Sequence, residues 1–265
     1  MFRTQKIIFT LILLAISAMT IQAKTETGFL NRSAKIGANE YRYQVYVPAN
    51  WTAKKKMPIV LFLHGAGERG SDGIVQTEVG IGTVVRRHTD RAPCVIVFPQ
   101  CPTSRWWSEP EMQAMALKTL DLSSKEFNGD PEHTYLTGLS MGGYGSWAIA
   151  SSNPHKFAAI AVICGGVLVP QRIAEQLKIP ATQGADPYTP VAQKIGKTPV
   201  WIFHGAVDSV VPVSESRKMN EALKATGGNV KYTEYEGVNH NSWEKAYAEA
   251  EFFNWLLAQK LEAKK

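Results

Sequence analysis

Cysteine is scarce in this 265-residue chain: Cys94, Cys101 and Cys164 are all there is. Three are too few for a disulfide framework, and an odd number leaves at least one free thiol within a monomer. No paired-histidine or Cys-x-x-Cys metal spacing occurs, and no glycine-rich loop of the phosphate-cradling kind. Neither a metal nor an organic cofactor is therefore expected. Repeats and low-complexity tracts are absent too, and the 21 glycines and 14 prolines form no runs. Collagen-like, coiled-coil and disordered classes are excluded. Basic residues outnumber acidic ones 29 to 23, a formal charge of +6. They gather into no stripe, so the sequence gives no reason to expect a nucleic-acid partner. What remains is ordinary globular composition, 45% apolar, 10% aromatic and 20% charged.

The one long apolar run lies at the start. Arg3 and Lys6 precede Ile7 to Ile16, and Ser17, Ala18, Thr20, Gln22 and Ala23 follow. This is the charged, apolar and small-residue order of a secretory signal. The run is shorter than the roughly 20 residues of a spanning helix. Cleavage is expected after Ala23, with Ala18 the second choice, and no cysteine stands nearby to take a lipid. The expectation is a signal peptide over 1–23 and no stable membrane anchor after its removal. The single mature domain, 24–265, would be periplasmic or secreted. Loss of Arg3 and Lys6 leaves 27 basic residues against 23 acidic, or +4. In such a compartment thiols meet oxidising conditions. Cys94 reads as a small buried hydrophobe; a bridge between Cys101 and Cys164, each just past a strand, stays open.

Along the mature chain, short apolar runs alternate with helical patterns. Tyr41 to Val47 alternates and stops at Pro48, the mark of a half-buried strand. Ile59 to Leu63, Val95 to Phe98, Tyr135 to Thr137, Ala158 to Ile163 and Val200 to Phe203 are continuously apolar, as strands covered on both faces require. Val230 to Tyr235 reads as an edge strand. Helices are predicted over Glu111–Phe127, Met141–Ser151, Ser214–Ala225 and Trp243–Lys260. The alternation implies an α/β fold with a mostly parallel, doubly covered sheet. Residues 165–198 are the longest irregular stretch, enough for a flap but not for a separate lid domain.

Chemistry-bearing residues cluster at the ends of these strands. Gly138-Leu-Ser-Met-Gly142 is a G-x-S-x-G sequence placed between a predicted strand and a predicted helix, the setting of a nucleophile elbow. A serine hydroxyl needs a base, and the base needs an orienting acid. His240 lies in the polar loop between the last strand and the last helix, where a base belongs. His155 stands too close to Ser140 in sequence, and His204 precedes the well-placed acid and reads as ordering its own loop. Asp208 directly follows a strand and is preferred to Asp186 and Glu215. Backbone donors for a developing oxyanion are expected at Met141 and, in His64-Gly-Ala-Gly-Glu-Arg-Gly70, at Ala66, with Gly67 second. His64 reads as a structural residue of that loop.

Leu63-His-Gly-Ala-Gly-Glu-Arg-Gly70, Pro99-Gln-Cys-Pro102 with Trp106-Trp107, Leu136 to Gly143, and Asn239-His-Asn-Ser-Trp243 together resemble one set of α/β-hydrolases. These are the secreted esterases and "predicted peptidases" near the phospholipase/carboxylesterase and feruloyl-esterase groups. The resemblance runs from about Tyr41 to the last helix. It implies the α/β-hydrolase fold and a triad of Ser140, Asp208 and His240. The chain departs from that pattern at His133, where Arg is common, at Gly73, where Asn is common, and at Asn241, where Asp is common. The resulting expectation is a serine hydrolase of carboxylic esters, with a carbohydrate-linked acetyl or feruloyl ester as leading substrate. A peptidase of the same fold is the first rival and a non-catalytic binding protein the second. Trp106, Trp107 and Trp243 are candidate substrate-lining residues. Neighbours on an extended segment point to opposite faces, so only one of Trp106 and Trp107 is expected to face the substrate.

Overall fold

The computed structural model describes residues 26–177 and 186–261. The signal-peptide reading of 1–23 lies outside the described residues. Eight strands form one sheet in the order β1-β2-β4-β3-β5-β6-β7-β8. β1 (Gly28–Ile36) and β2 (Asn39–Val47) make an antiparallel hairpin that joins β4 (Val95–Pro99) antiparallel. β3 (Met57–Leu63), β4, β5 (Gly129–Leu139), β6 (Ala159–Ile163), β7 (Val200–Gly205) and β8 (Val230–Tyr235) run parallel.

Side-chain parity divides the core in two. Ile59, Leu61, Leu63, Val95, Val97, Leu136, Ile160 and Ile202 face one way. They pack under α2 (Pro110–Glu126), α3 (Met141–Ser152), α5 (Tyr188–Ile195) and α6 (Ser214–Ala225). Val60, Phe62, Ile96, Phe98, Tyr135, Trp201 and Phe203 face the other way. They meet α1 (Ile81–Arg87), α7 (Trp243–Ala248) and α8 (Phe252–Leu257). With helices on both faces neither side of β3 reaches water, which is why its run is apolar without alternation.

Three expectations are revised. β1 was not foreseen. The helix expected over Trp243–Lys260 breaks into α7 and α8 at Glu249, whose ψ of 131° leaves the helical region, and Arg91 Nη2 donates to the carbonyls of Ala248 and Glu249 there at 3.1 and 2.8 Å. Among the described residues of 165–198 are two helices, α4 (Gln171–Leu177) and α5. All three cysteines are free and buried, so no bridge joins Cys101 to Cys164.

Candidate active site

β3, β5, β6, β7 and β8 all end on one side of the sheet, and a parallel sheet gathers its functional loops there. The turn from β5 into α3 is the tightest. Gly138 and Gly142 permit it: a methyl on Gly142 would overlap the carbonyl of Leu63, and one on Gly138 the carbonyl of Gly142. α3 is thus drawn down onto the end of β3. Ser140 between them takes φ +50° and ψ −118°, a conformation costly for a residue with a side chain. Its N–H donates to Ile163 O at 2.9 Å, and its carbonyl accepts from Gly143 and Tyr144. The hydroxyl is left at the mouth of the turn.

The β8–α7 loop brings His240 to it, with 2.9 Å between Ser140 Oγ and His240 Nε2. On the far side of the ring His240 Nδ1 lies 2.7 Å from Asp208 Oδ2. A carboxylate oxygen only accepts, so Nδ1 carries the proton and Nε2 is free to accept from the serine. Asn239 fixes the loop. Its Oδ1 accepts from the N–H of His240 at 2.7 Å and of Ser209 at 2.9 Å. Asp208 follows β7 in a turn of its own, where Oδ1 accepts the N–H groups of Val210 and Val211 at 2.8 and 2.9 Å. Its carboxylate is wholly buried. Burial by itself would raise its pKa. Hydrogen bonds from His204 and His240, then from Val211 and Val210, outweigh that and hold the carboxyl well below the ordinary range.

The loop after β3 passes over the serine: a methyl on Gly65 would stand 3.8 Å from Ser140 Cβ. Among the described residues neither the N–H of Ala66 nor that of Met141 is bonded to a protein acceptor. The Met141 N–H opens α3, at the positive end of its dipole. His64 braces the loop from inside the core. Its Nε2 accepts from Cys101 N–H at 3.0 Å and its Nδ1 donates to Gly65 O at 2.6 Å. Burial lowers its pKa to about 4, so the ring is neutral as those bonds require.

The tryptophans separate. Trp107 is sealed in the core, donating from Nε1 to His64 O at 3.0 Å, so it leaves the substrate-lining set. Trp106 is 6% exposed and lies edge-on to Tyr144 at 6.1 Å. Trp243 is half-buried and meets the His240 ring edge-on at 5.3 Å and 89°. The rejected acids do other work. Asp186 accepts the N–H groups of Tyr188 and Thr189 at the start of α5. Glu215 joins α6 to Val167 N–H and to Tyr188 Oη. Gly73 sits at φ +73°, in the left-handed region that asparagine also tolerates. Cys164, just past β6, has its sulfur within 4.8 Å of donor atoms of Asp208 and His240. Those two are already bonded to one another, and burial pushes the Cys164 thiol up to about 12.

The fold is that of the α/β-hydrolase class. The family model described as "Prolyl oligopeptidase family" matches residues 116–261. The chain belongs to that family. A thermostable esterase of solved structure is 33% identical with a TM-score of 0.73, over 88% of this chain and 63% of its own. An uncharacterized secreted protein of Arthroderma benhamiae is 26% identical over 209 residues, 70% of this chain and 21% of that one. A probable carboxylesterase of Oryza sativa subsp. japonica is 23% identical over 207 residues, 68% and 80% of the two chains. The chain thus spans about a fifth of the fungal relative and less than two thirds of the esterase.

Proposed function

We propose that this is a secreted hydrolase of carboxylic esters, with a carbohydrate-linked acetyl or feruloyl ester as substrate. Ser140, His240 and Asp208 are its triad. The observation that carries the reading is the continuous hydrogen-bonded line Ser140–His240–Asp208 at 2.9 and 2.7 Å. Ser140 Oγ attacks the ester carbonyl carbon while His240 Nε2 takes the hydroxyl proton. The N–H groups of Met141 and Ala66 receive the oxyanion of the tetrahedral intermediate. Its collapse breaks the C–O bond, and His240 returns the proton to the departing alcohol. Water, deprotonated by His240, then attacks the acyl carbonyl; the bond to Ser140 Oγ breaks, His240 returns the proton to Oγ and the acid leaves. Asp208 keeps the ring in the required tautomer and balances the imidazolium charge.

Likeness to the thermostable esterase supports the ester preference. The family match supports a second reading, a peptidase of the same machinery. A substrate panel separates the two: p-nitrophenyl acetate, methyl ferulate, an acetylated xylo-oligosaccharide and peptidyl anilides. Turnover of the sugar and feruloyl esters without anilide cleavage upholds the proposal. Anilide cleavage at comparable kcat/KM replaces it with the peptidase, and turnover of nothing in the panel rejects both. The N-terminal reading is tested by expression with export: a mature chain beginning at Lys24 outside the cytoplasm is expected.

A further inference from the structure

Asp208 faces two histidines. Besides His240, the wholly buried His204 brings its Nε2 to 3.2 Å from Asp208 Oδ2, the oxygen that also receives His240 Nδ1–H. The tautomer of His204 follows from its partners. Nε2 faces only acceptors, that carboxylate oxygen and Val211 O at 3.0 Å, so it must carry the proton. Nδ1 lies 2.6 Å from Ser216 Oγ, at the start of α6, and so accepts from the hydroxyl. A chain of polar contacts therefore runs from Ser216 Oγ–H to His204, whose Nε2–H is shared between Val211 O at 3.0 Å and the triad carboxylate at 3.2 Å.

We infer that His204 is a positioning residue for the triad: its Nε2–H takes up part of the Asp208 charge and sets how strongly that carboxylate pulls on His240. The inference rests on the triad reading above. The other ionisable neighbours leave this role to His204. Glu234, opposite His204 in the β7–β8 register, is paired with Arg217 at 2.6 Å. Burial pushes the Cys164 thiol and the Tyr144 phenol upward, which keeps both neutral near pH 7. His240 is the other ring that shares Asp208 with His204. Removing the Nε2–H leaves more charge on Oδ2 for the His240 imidazolium, so His240 holds its proton to higher pH. The base would then be available over a narrower range.

The test is the pH profile of kcat/KM on p-nitrophenyl acetate, per active site titrated with a fluorophosphonate. His204→Leu is expected to move the acid limb up by roughly half a unit to one unit, and to lower kcat by about tenfold to a hundredfold. His204→Gln, whose amide N–H can occupy the Nε2 position, is expected to restore most of both. Ser216→Ala is the milder variant should His204→Leu fold poorly. It leaves Asp208 untouched, releases the tautomer and is expected to move the limb the same way by less. An unmoved limb in His204→Leu, or in Ser216→Ala where the former does not fold, with losses that track the active-site titre and Tm, overturns the inference. Failure of the wild-type Ser140 to take the fluorophosphonate would instead overturn the triad reading.

Discussion

At the elbow, Ser140 is fixed by what its neighbours lack; across the cleft, Asp208 is fixed by what its neighbours supply. The β5–α3 turn closes because Gly138 and Gly142 have no side chains where backbone must pass. The β7–α6 turn closes because four donors converge on one buried carboxylate: Val210, Val211, His204 and His240. Steric fit tolerates no added atom but is indifferent to pH. A polar cage tolerates changes of shape but fails when a proton or a donor is lost. One half of the site is therefore mechanically stiff and the other electrostatically stiff.

Substitutions in the two halves should fail in different ways. Ser140→Ala is expected to lower kcat about 10⁶-fold with Tm unchanged, because only the hydroxyl is removed. Asp208→Ala should cost about 10⁴-fold in kcat and also lower Tm, since the N–H groups of Val210 and Val211 and the Nδ1–H of His240 lose their acceptor. Gly142→Ala should act through stability, by about 3 kcal/mol or more, because the new methyl meets the Leu63 carbonyl. Urea unfolding reads that loss, and an unchanged midpoint would remove the steric half of the contrast. Trp243→Ala is expected to reduce kcat/KM for methyl ferulate about tenfold while sparing p-nitrophenyl acetate. Equal loss on both esters would make its contact with His240 the whole of its role.

The smallest effect lies just outside the cage. Arg217 bonds to Glu234 and holds that carboxyl down to about 2. A depressed carboxyl stabilises the fold above its unfolded value, about 4.3, and that contribution is lost as pH falls toward 2. Because Arg217 is half exposed, solvent screens the pair and little stability is at stake. Arg217→Ala should lower the urea midpoint slightly at pH 7, and the gap from wild type should narrow as pH falls from about 4 and close only at about pH 2 or below. A gap that persists there would show that the guanidinium contributes by packing rather than by charge.

The two halves also differed in how far the sequence disclosed them. The elbow was plain from G-x-S-x-G between a strand and a helix, since steric demands leave glycines at fixed spacing. Asp208 and His240 were legible from chain order and strand ends. In the sequence His204 shows only as a residue of its own loop; that it also turns back onto Asp208 depends on a bend between residues 204 and 208 that no periodicity marks. Central strands were legible because burial on both faces removes polar residues from them. β1 was not, because Asn31, Arg32 and Ser33 interrupt its pattern, and its place comes from pairing with β2. α7 and α8 read as one helix because Ala248, Glu249, Ala250 and Glu251 favour helix locally. At the break the freed carbonyl of Ala248 is met by Arg91, 157 residues away in sequence, a partner that no local pattern announces.

The three unpaired thiols give the molecule a built-in gauge of its own opening. Cys101 lies in the layer beneath α2 and α3, Cys94 and Cys164 in the layer beneath α7 and α8. Burial pushes each up to about 12, so in the closed state none offers a thiolate to an alkylating reagent near pH 7. Labelling must then wait for each layer to part from the sheet, and its rate counts those partings. Similar rates for Cys101 and Cys164 would mean that both layers separate in one event. Faster labelling on one side would identify the layer that loosens first, in an otherwise untouched protein.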